Sequence, residues 1–397
     1  GVLGGAGRGE TPFLLLLGLS EEFRAGGCEG APEVENFPFT HWNKSDTLTW
    51  AEMALCQFHG SDALLLDLFP FSGNPATAEP RIGVLLDRSR PGLKWIADRF
   101  PKTLTCGGVG LPWKEDAQAR VRTQAGNSMS ELNASPFGPG ELLLPFGIPV
   151  AFTRQPVNAV FGGLAWAYSD DECRELLSCG LLLDAGSASV FAERGFGALL
   201  GIRLKGWAGR EDSDYALEQT TAMARGIPAG FRMNVNLHDC MARLEPARGA
   251  REWTTVMCAS GQRFGAGLTL FRNRLGGNVA VFAASEPQGL PQSYQRQAMM
   301  HALIHKLANN RFSQPLVADA PQALPMVFED ASGRLRRMAV LNGSPDPARP
   351  ALRIPAVALK PRATLLAPLA KPAVMRLDLR KVAGTIEARP SRPMPYL

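Results

Sequence analysis

The chain has 397 residues, of which 45% are hydrophobic and 20% charged, and 42 basic against 37 acidic residues give a formal charge of +5. This is the composition of a folding chain, long enough for two or three domains with three expected, and it excludes disordered and fibrous classes. The basic excess is small and dispersed, with some enrichment towards the C-terminus, so it speaks for solubility and against a nucleic-acid partner.

The opening GVLGGAGRGE has the glycine run of a phosphate loop, but no Lys-Ser/Thr ending and no preceding strand, and it reads as a flexible loop. The chain begins without methionine, and its first 25 residues hold a helix and no first strand, so an N-terminal truncation is expected. The helix is TPFLLLLGLSEEFRA (11–25), entered through Thr11 and Pro12. Its apolar run FLLLLGL is too short to cross a bilayer, and no membrane partner is expected. A strand follows at 31–37. Ser45 to Gly60 reads as a helix started by Ser45 and Asp46. SDALLLDLFPF reads as a continuously apolar strand, buried on both faces as in a parallel sheet. After the loop SGNPATAEP, 89–100 is helical. This alternation is the repeat of a parallel α/β fold.

Between about 104 and 205 a second, small doubly wound α/β pattern contains the helix DDECRELLSCG, capped by Ser169 or Asp170, the strand LLLD, and a helix from about Ser187. From 206 the strands are expected to shorten, interrupted by one helix, SYQRQAMMHALIHKLAN (293–309). The tail from 323 suggests a β-sandwich-like module, with 388–397 poorly ordered. The expected domains are therefore 1–103, 104–205 and 206–397.

The seven cysteines are odd in number and show no CxxC spacing, which argues for reduced thiols in a cytoplasmic protein rather than a disulfide framework or a structural zinc. Cys173 and Cys179 have no neighbouring histidine to activate them. His301 and His305 stand one helical turn apart, but no Glu follows His301, and a solvated pair is expected in preference to a metal site. GVGLPWKEDAQARVRT (108–123) either lines a cleft or caps the second domain.

The stretch with most chemistry is APEVENFPFTHWNKS (31–45). In an extended strand Glu33 and Glu35 share one face, while Pro32, Val34 and Asn36 share the other. Such acids are either solvated or functional. A pair of carboxyl groups is what glycoside hydrolysis uses, about 5 Å apart in retaining enzymes. Phe37, Phe39 and Trp42 suit stacking against sugar rings, and Asn36, His41 and Lys44 suit bonding to hydroxyls.

PEVENFPFTHWNKS, followed by a helix and an apolar strand ending LDLFPFSGNP, resembles the last two βα units of β-galactosidase-like glycoside hydrolases that carry a trimerisation domain. LLPFGIPVAF and GLAWAYSDDECRELLSCGLLLDAGSASVFAERGFGALLGI resemble that family's glutamine-amidotransferase-like domain. The resemblance covers most of 10–205, with a looser match beyond, where GNVAVFA and AVLNGSPD resemble the C-terminal modules. It implies the end of a (β/α)8 barrel, a Rossmann-like association domain and a β-rich C-terminal domain. It also implies a retaining hydrolase of β-linked hexosides that needs no cofactor and forms a homo-oligomer, a trimer being one such form. The family's nucleophile falls on Glu35, by the E-x-x-P spacing, with Glu33 the alternative; substrate contacts fall on Asn36, His41, Trp42 and Phe69. The family's acid/base, from the fourth barrel strand, has no counterpart in this chain. A non-catalytic carbohydrate-binding or assembly protein is the rival reading. An amidotransferase is disfavoured because 104–205 contains no histidine.

Overall fold

A computed structural model describes residues 27–36, 44–70, 72–123, 129–132, 134–211, 214–236, 238–344, 346–355, 361–382 and 384–395. The chain divides into two compact units: Gly1–Gly107 with Gln314–Leu397, and, inserted between those segments, Gly108–Ser313.

The first unit starts with β1 (Glu33–Glu35), α1 (Asp46–Phe58), β2 (Leu65–Asp67), α2 (Pro80–Arg99) and β3 (Thr105–Gly107). β1 and β2 are parallel, with Glu33, Val34 and Glu35 opposite Leu65, Leu66 and Asp67. The Ser45 hydroxyl accepts from the Leu48 N–H at 3.2 Å, which satisfies one of the donors left open at the start of α1. Val34 turns towards the helices and forms a core with Met53, Cys56, Leu68, Ile82 and Leu85. α2 starts nine residues earlier than 89–100. Pro80 occupies its first turn, where a missing N–H costs nothing, and Pro91 is accommodated within it. Gly92 lets the indole of Trp50 lie close against α2, where an added Cβ would stand 3.4 Å from the ring.

The segment expected to form a doubly buried strand is a strand only at Leu65–Asp67, and it is not buried: Leu65 is 56% and Leu66 39% exposed. A strand is covered on both faces only within a wider sheet, and among the described residues β2 pairs with β1 alone.

The second unit is built on one sheet. Its parallel part runs β5 (Val150–Ala151), β4 (Val109–Gly110), β6 (Val157–Val160), β7 (Gly180–Leu183) and β14 (Asn278–Phe282), in that spatial order. α3 (Phe137–Leu143) precedes β5, α4 (Asp170–Ser178) leads into β7, and α5 (Ala185–Phe191) follows it. α4 opens with a capping box in which Ser169 and Glu172 satisfy each other's backbone N–H groups. β14 is antiparallel to β13 (Arg263–Arg272), and the sheet continues through β12 (Arg251–Cys258), β9 (Tyr215–Thr220) and β10 (Arg232–Asn234). β11 (Cys240–Pro246) pairs with β13 and with β8 (Ile202–Gly209). α6 (Tyr294–Leu307) starts at Ser293, whose hydroxyl accepts from the Arg296 N–H at 3.1 Å. The strands after 206 thus do not shorten uniformly: β10 has 3 residues, but β12 has 8. β13 spans 10 residues, disguised in sequence by Gly265 and Gly267, where the Leu244 backbone and the Thr254 hydroxyl leave little room for side chains.

Gly201 enters β8 with φ +70°, and a Cβ there would stand 2.2 Å from Phe271. Gly201→Ala is expected to destabilise this unit by about 2 kcal/mol or more, through left-handed backbone and a clash together. Urea unfolding followed by circular dichroism measures it.

The first unit resumes with β15 (Leu316–Ala318), β16 (Ala323–Glu329), β17 (Leu335–Asn342), β18 (Ala351–Pro355), β19 (Ala363–Leu365), β20 (Ala373–Met375), β21 (Leu377–Val382) and β22 (Thr385–Pro390). All their pairings are antiparallel: β15–β18–β22–β21, β17–β16–β3 and β19–β20. The tail is anchored rather than loose, since β22 runs to Pro390 and Met394 exchanges backbone hydrogen bonds with Ala348. The molecule is thus mixed α/β with a sheet-rich C-terminal portion.

Candidate functional site

Glu33 and Glu35 occupy the exposed face of β1, with Val34 fully buried between them on the other face. Residues paired across parallel strands project to the same side, so Asp67 lies beside Glu35 on the neighbouring strand, roughly 4.8 Å away at the backbone. The side chains of Glu33, Glu35 and Asp67 have no hydrogen-bond or ion-pair partner among the described residues. Both strands end at this point, so Glu35 and Asp67 sit at carboxyl ends of parallel strands.

What fixes the end of β1 is a buried polar cluster from α1. The Lys44 ammonium donates to the Glu35 carbonyl at 2.9 Å and to the carboxylate of Glu52 on α1. Asn36, just past the strand, donates its N–H to the Asp67 carbonyl at 3.1 Å, and its side-chain oxygen accepts from the Thr49 hydroxyl at 3.2 Å. Burial raises the Glu52 carboxyl above its ordinary range; the Lys44 hydrogen bond and charge oppose that, and the charge of Glu35 adds to it. Thr49 and Glu52 were not singled out in the sequence. The available signal was a charged residue on an otherwise apolar helix face, TWAEMALC, which demands a buried partner.

The expected sugar contacts separate in space. Asn36 is turned into the α1 cluster, on the face opposite the two glutamates, and Lys44 is occupied by Glu52 and the Glu35 carbonyl. Phe69, two residues after β2, is 37% exposed. His41 and Trp42, with Phe37 and Phe39, lie outside the described residues. A cavity of about 740 Å³ in the same unit is lined by none of the acids.

In the second unit, the turn from β7 into α5 carries Asp184, not a cysteine. Its Oδ1 accepts the N–H groups of Ser187 at 2.7 Å and Gly162 at 2.9 Å. Burial pushes its pKa up from 3.8 to about 6, against the downward pull of those hydrogen bonds. Between about pH 4 and pH 6 the native chain therefore holds a proton that the unfolded chain has released, so this group's contribution to stability falls as pH rises through that interval, by on the order of 3 kcal/mol. Asp184→Asn keeps the accepting oxygen and removes the titration. The stability of wild type relative to this variant is expected to fall between pH 4 and pH 6, as read from urea midpoints.

The His301/His305 pair is not a solvated one. His301 is buried, with Nε2 2.6 Å from the Phe146 carbonyl oxygen, and His305 packs edge-on against Phe312. Cys173 is buried and its thiol pushed up to about 11, chiefly by that burial. Lys114 of the 108–123 segment pairs with Glu172 at 2.6 Å, and the only helix there is the turn Ala117–Arg120. Among the described residues no group of three or more His, Cys, Asp or Glu is placed to hold a metal, and no helix is long and apolar enough to cross a membrane.

No protein-family model and no curated protein matches this chain. Solved structures do. Alpha-L-fucosidase isoenzyme 2 from Paenibacillus thiaminolyticus matches 92% of the chain with a TM-score of 0.61 at 14% identity. The beta-galactosidase from Bacillus circulans sp. alkalophilus matches 97% with a TM-score of 0.54 at 11% identity. The match spans 59% of each of those two longer chains. At these identities the likeness is one of fold, and that fold is β-galactosidase-like.

Proposed function

We propose, from this glycosidase-like fold, that the chain is the C-terminal part of a retaining glycoside hydrolase acting on a β-linked hexoside, with galactoside the first choice. The observation that carries the reading is Glu35: an exposed carboxylate at the carboxyl end of a parallel strand, the position where α/β barrels carry their reactive groups. In this reading β1, α1, β2 and α2 are the closing βα units of a (β/α)8 barrel, and the parallel sheet of the second unit is a Rossmann-like association element that trimerises.

Glu35 attacks the anomeric carbon and forms a glycosyl ester as the leaving oxygen departs. A second carboxylic acid, supplied by polypeptide outside the described residues, protonates that oxygen and then activates the water that hydrolyses the ester. Asp67 beside Glu35 adds negative charge that favours the oxocarbenium-like transition state. Lys44 and Glu52 hold the Glu35 backbone from behind, leaving its carboxylate free to react. Glu33 shares the exposed face and is the alternative nucleophile; Phe69, His41 and Trp42 contact the sugar.

The test is covalent trapping. A 2,4-dinitrophenyl 2-deoxy-2-fluoro-β-galactoside carries a leaving group that needs no proton, so a nucleophile alone can displace it. Peptide mass spectrometry is expected to find the fluorosugar ester on Glu35. An ester on Glu33 would reassign the nucleophile, and no ester with any hexoside of a panel would remove the hydrolase reading.

A further inference from the structure

We propose that the first unit binds a long-chain aliphatic carboxylate in the cavity of about 740 Å³ enclosed by α1, α2 and the C-terminal strands. The volume falls within the roughly 300–1,000 Å³ typical of small-molecule sites. Protein interiors are close-packed, and an apolar hollow of this size forfeits the contacts its walls would otherwise make.

The floor is buried and apolar, formed by Trp50, Leu55, Phe100, Met326, Ile354 and Met375. Above it, Met338, Val340, Leu352, Leu377 and Ile386 from four different strands line the same space and are half-buried, the first three also packing against the small core around Val317. The chemistry changes at the mouth. Arg99, Arg336, Arg337 and Arg362 are all exposed there, and the lining contains no Asp or Glu. Arg336 is paired with Asp330. The other three have no carboxylate partner among the described residues: Arg99 lies 4.7 Å over the Trp95 ring, and Arg337 donates to the backbone carbonyls of Arg99 and Arg336. An apolar hollow under a rim of unneutralised guanidinium groups is complementary to a molecule with a hydrocarbon body and an anionic head. Guanidinium forks bind carboxylates bidentately. A sugar fits poorly, because the floor offers it few hydrogen-bonding groups. The site is separate from the glutamates of β1 and stands whether or not the hydrolase reading holds.

Calorimetric titration of the full chain with palmitate is the test, with hexadecanol as the uncharged control and phosphatidylglycerol vesicles as the membrane control. Saturable palmitate binding is expected, at least about tenfold tighter than hexadecanol. The double variant Arg99→Ala/Arg337→Ala should lose about tenfold or more for palmitate while leaving hexadecanol unchanged. Val340→Trp, which fills the hollow, should abolish both. Circular dichroism and urea midpoints check that the variants are folded, and the arginine variant decides the matter if Val340→Trp is not. Absent saturable binding, equal affinity for hexadecanol, an unaffected arginine variant, or association with vesicles in place of free palmitate would each overturn the proposal.

Discussion

Glu35→Gln is expected to lower hydrolysis of aryl β-galactosides by about 10⁴-fold or more, measured on the polypeptide that carries this chain together with the acid/base. Loss of a covalent nucleophile removes the two-step route itself, so the effect falls on kcat rather than on KM. The variant keeps the shape and burial of the side chain, and the Lys44 bond to the residue's backbone carbonyl does not involve the carboxylate. Glu33→Gln, on the same exposed face, is expected to stay within about tenfold of wild type. A small anion separates a catalytic from a structural role. With Glu35→Gly, added azide should restore turnover and yield a glycosyl azide of inverted configuration, because azide occupies the space of the missing carboxylate. Glu35→Gln with near-normal kcat, or a Glu33→Gln protein as inactive as that expected for Glu35, would refute the assignment.

The largest effect on stability is expected at Arg296 in the second unit. Its guanidinium is 1% exposed and lies 2.7 Å from the equally buried carboxylate of Glu218 on β9. Thr254 donates to the other oxygen of that carboxylate at 2.5 Å, and Arg296 Nε donates to the Pro291 carbonyl at 3.0 Å. Arg296→Met leaves a buried carboxylate without its cation. Breaking such a pair from one side costs about 3–5 kcal/mol. For a unit of this size that corresponds to a fall in Tm of about 10 °C. Replacing both partners together, as Arg296→Met with Glu218→Leu, should recover most of the loss, because two apolar groups leave no charge to solvate. A double variant no more stable than Arg296→Met would show that the pair acts through packing rather than charge.

The elements legible in the sequence were those with local signals. Ser45, Ser169 and Ser293 mark the starts of α1, α4 and α6, and in each case the hydroxyl caps the helix. The strand expected at LLLD (181–184) between two helices is present one residue earlier, at Gly180–Leu183. What was missed depended on neighbours. The first turns of α2 follow a Pro- and Gly-containing loop and carry no capping side chain, so its start is not marked locally, and β13 is hidden because its glycines are set by contacts from β11 and β12. The burial assigned to β2 required sheet partners that the described residues do not include. At the candidate site, the shared face of Glu33 and Glu35 followed from period-two alternation alone. The pairing of Glu35 with Asp67 joins two strands separated by α1, and Lys44, just before α1, reaches back to the Glu35 carbonyl while its ammonium is held by Glu52; only the folded chain brings these groups together.

The order in which the chain is made interacts with the way its two units are interleaved. A ribosome delivers the whole of Gly108–Ser313 before any strand from β15 onward has emerged, so the inserted unit can mature while three of the four sheets described in its host still lack strands. β3 must hold its place until β16 arrives from beyond about 200 intervening residues, a closure that would carry an entropy penalty of about 5 kcal/mol if that segment were still unfolded. Prior compaction of the insert shortens the effective tether. Variants that slow maturation of the insert, Gly201→Ala and Arg296→Met among them, are therefore expected to lower the yield of the host unit during translation, though none of its own residues has changed.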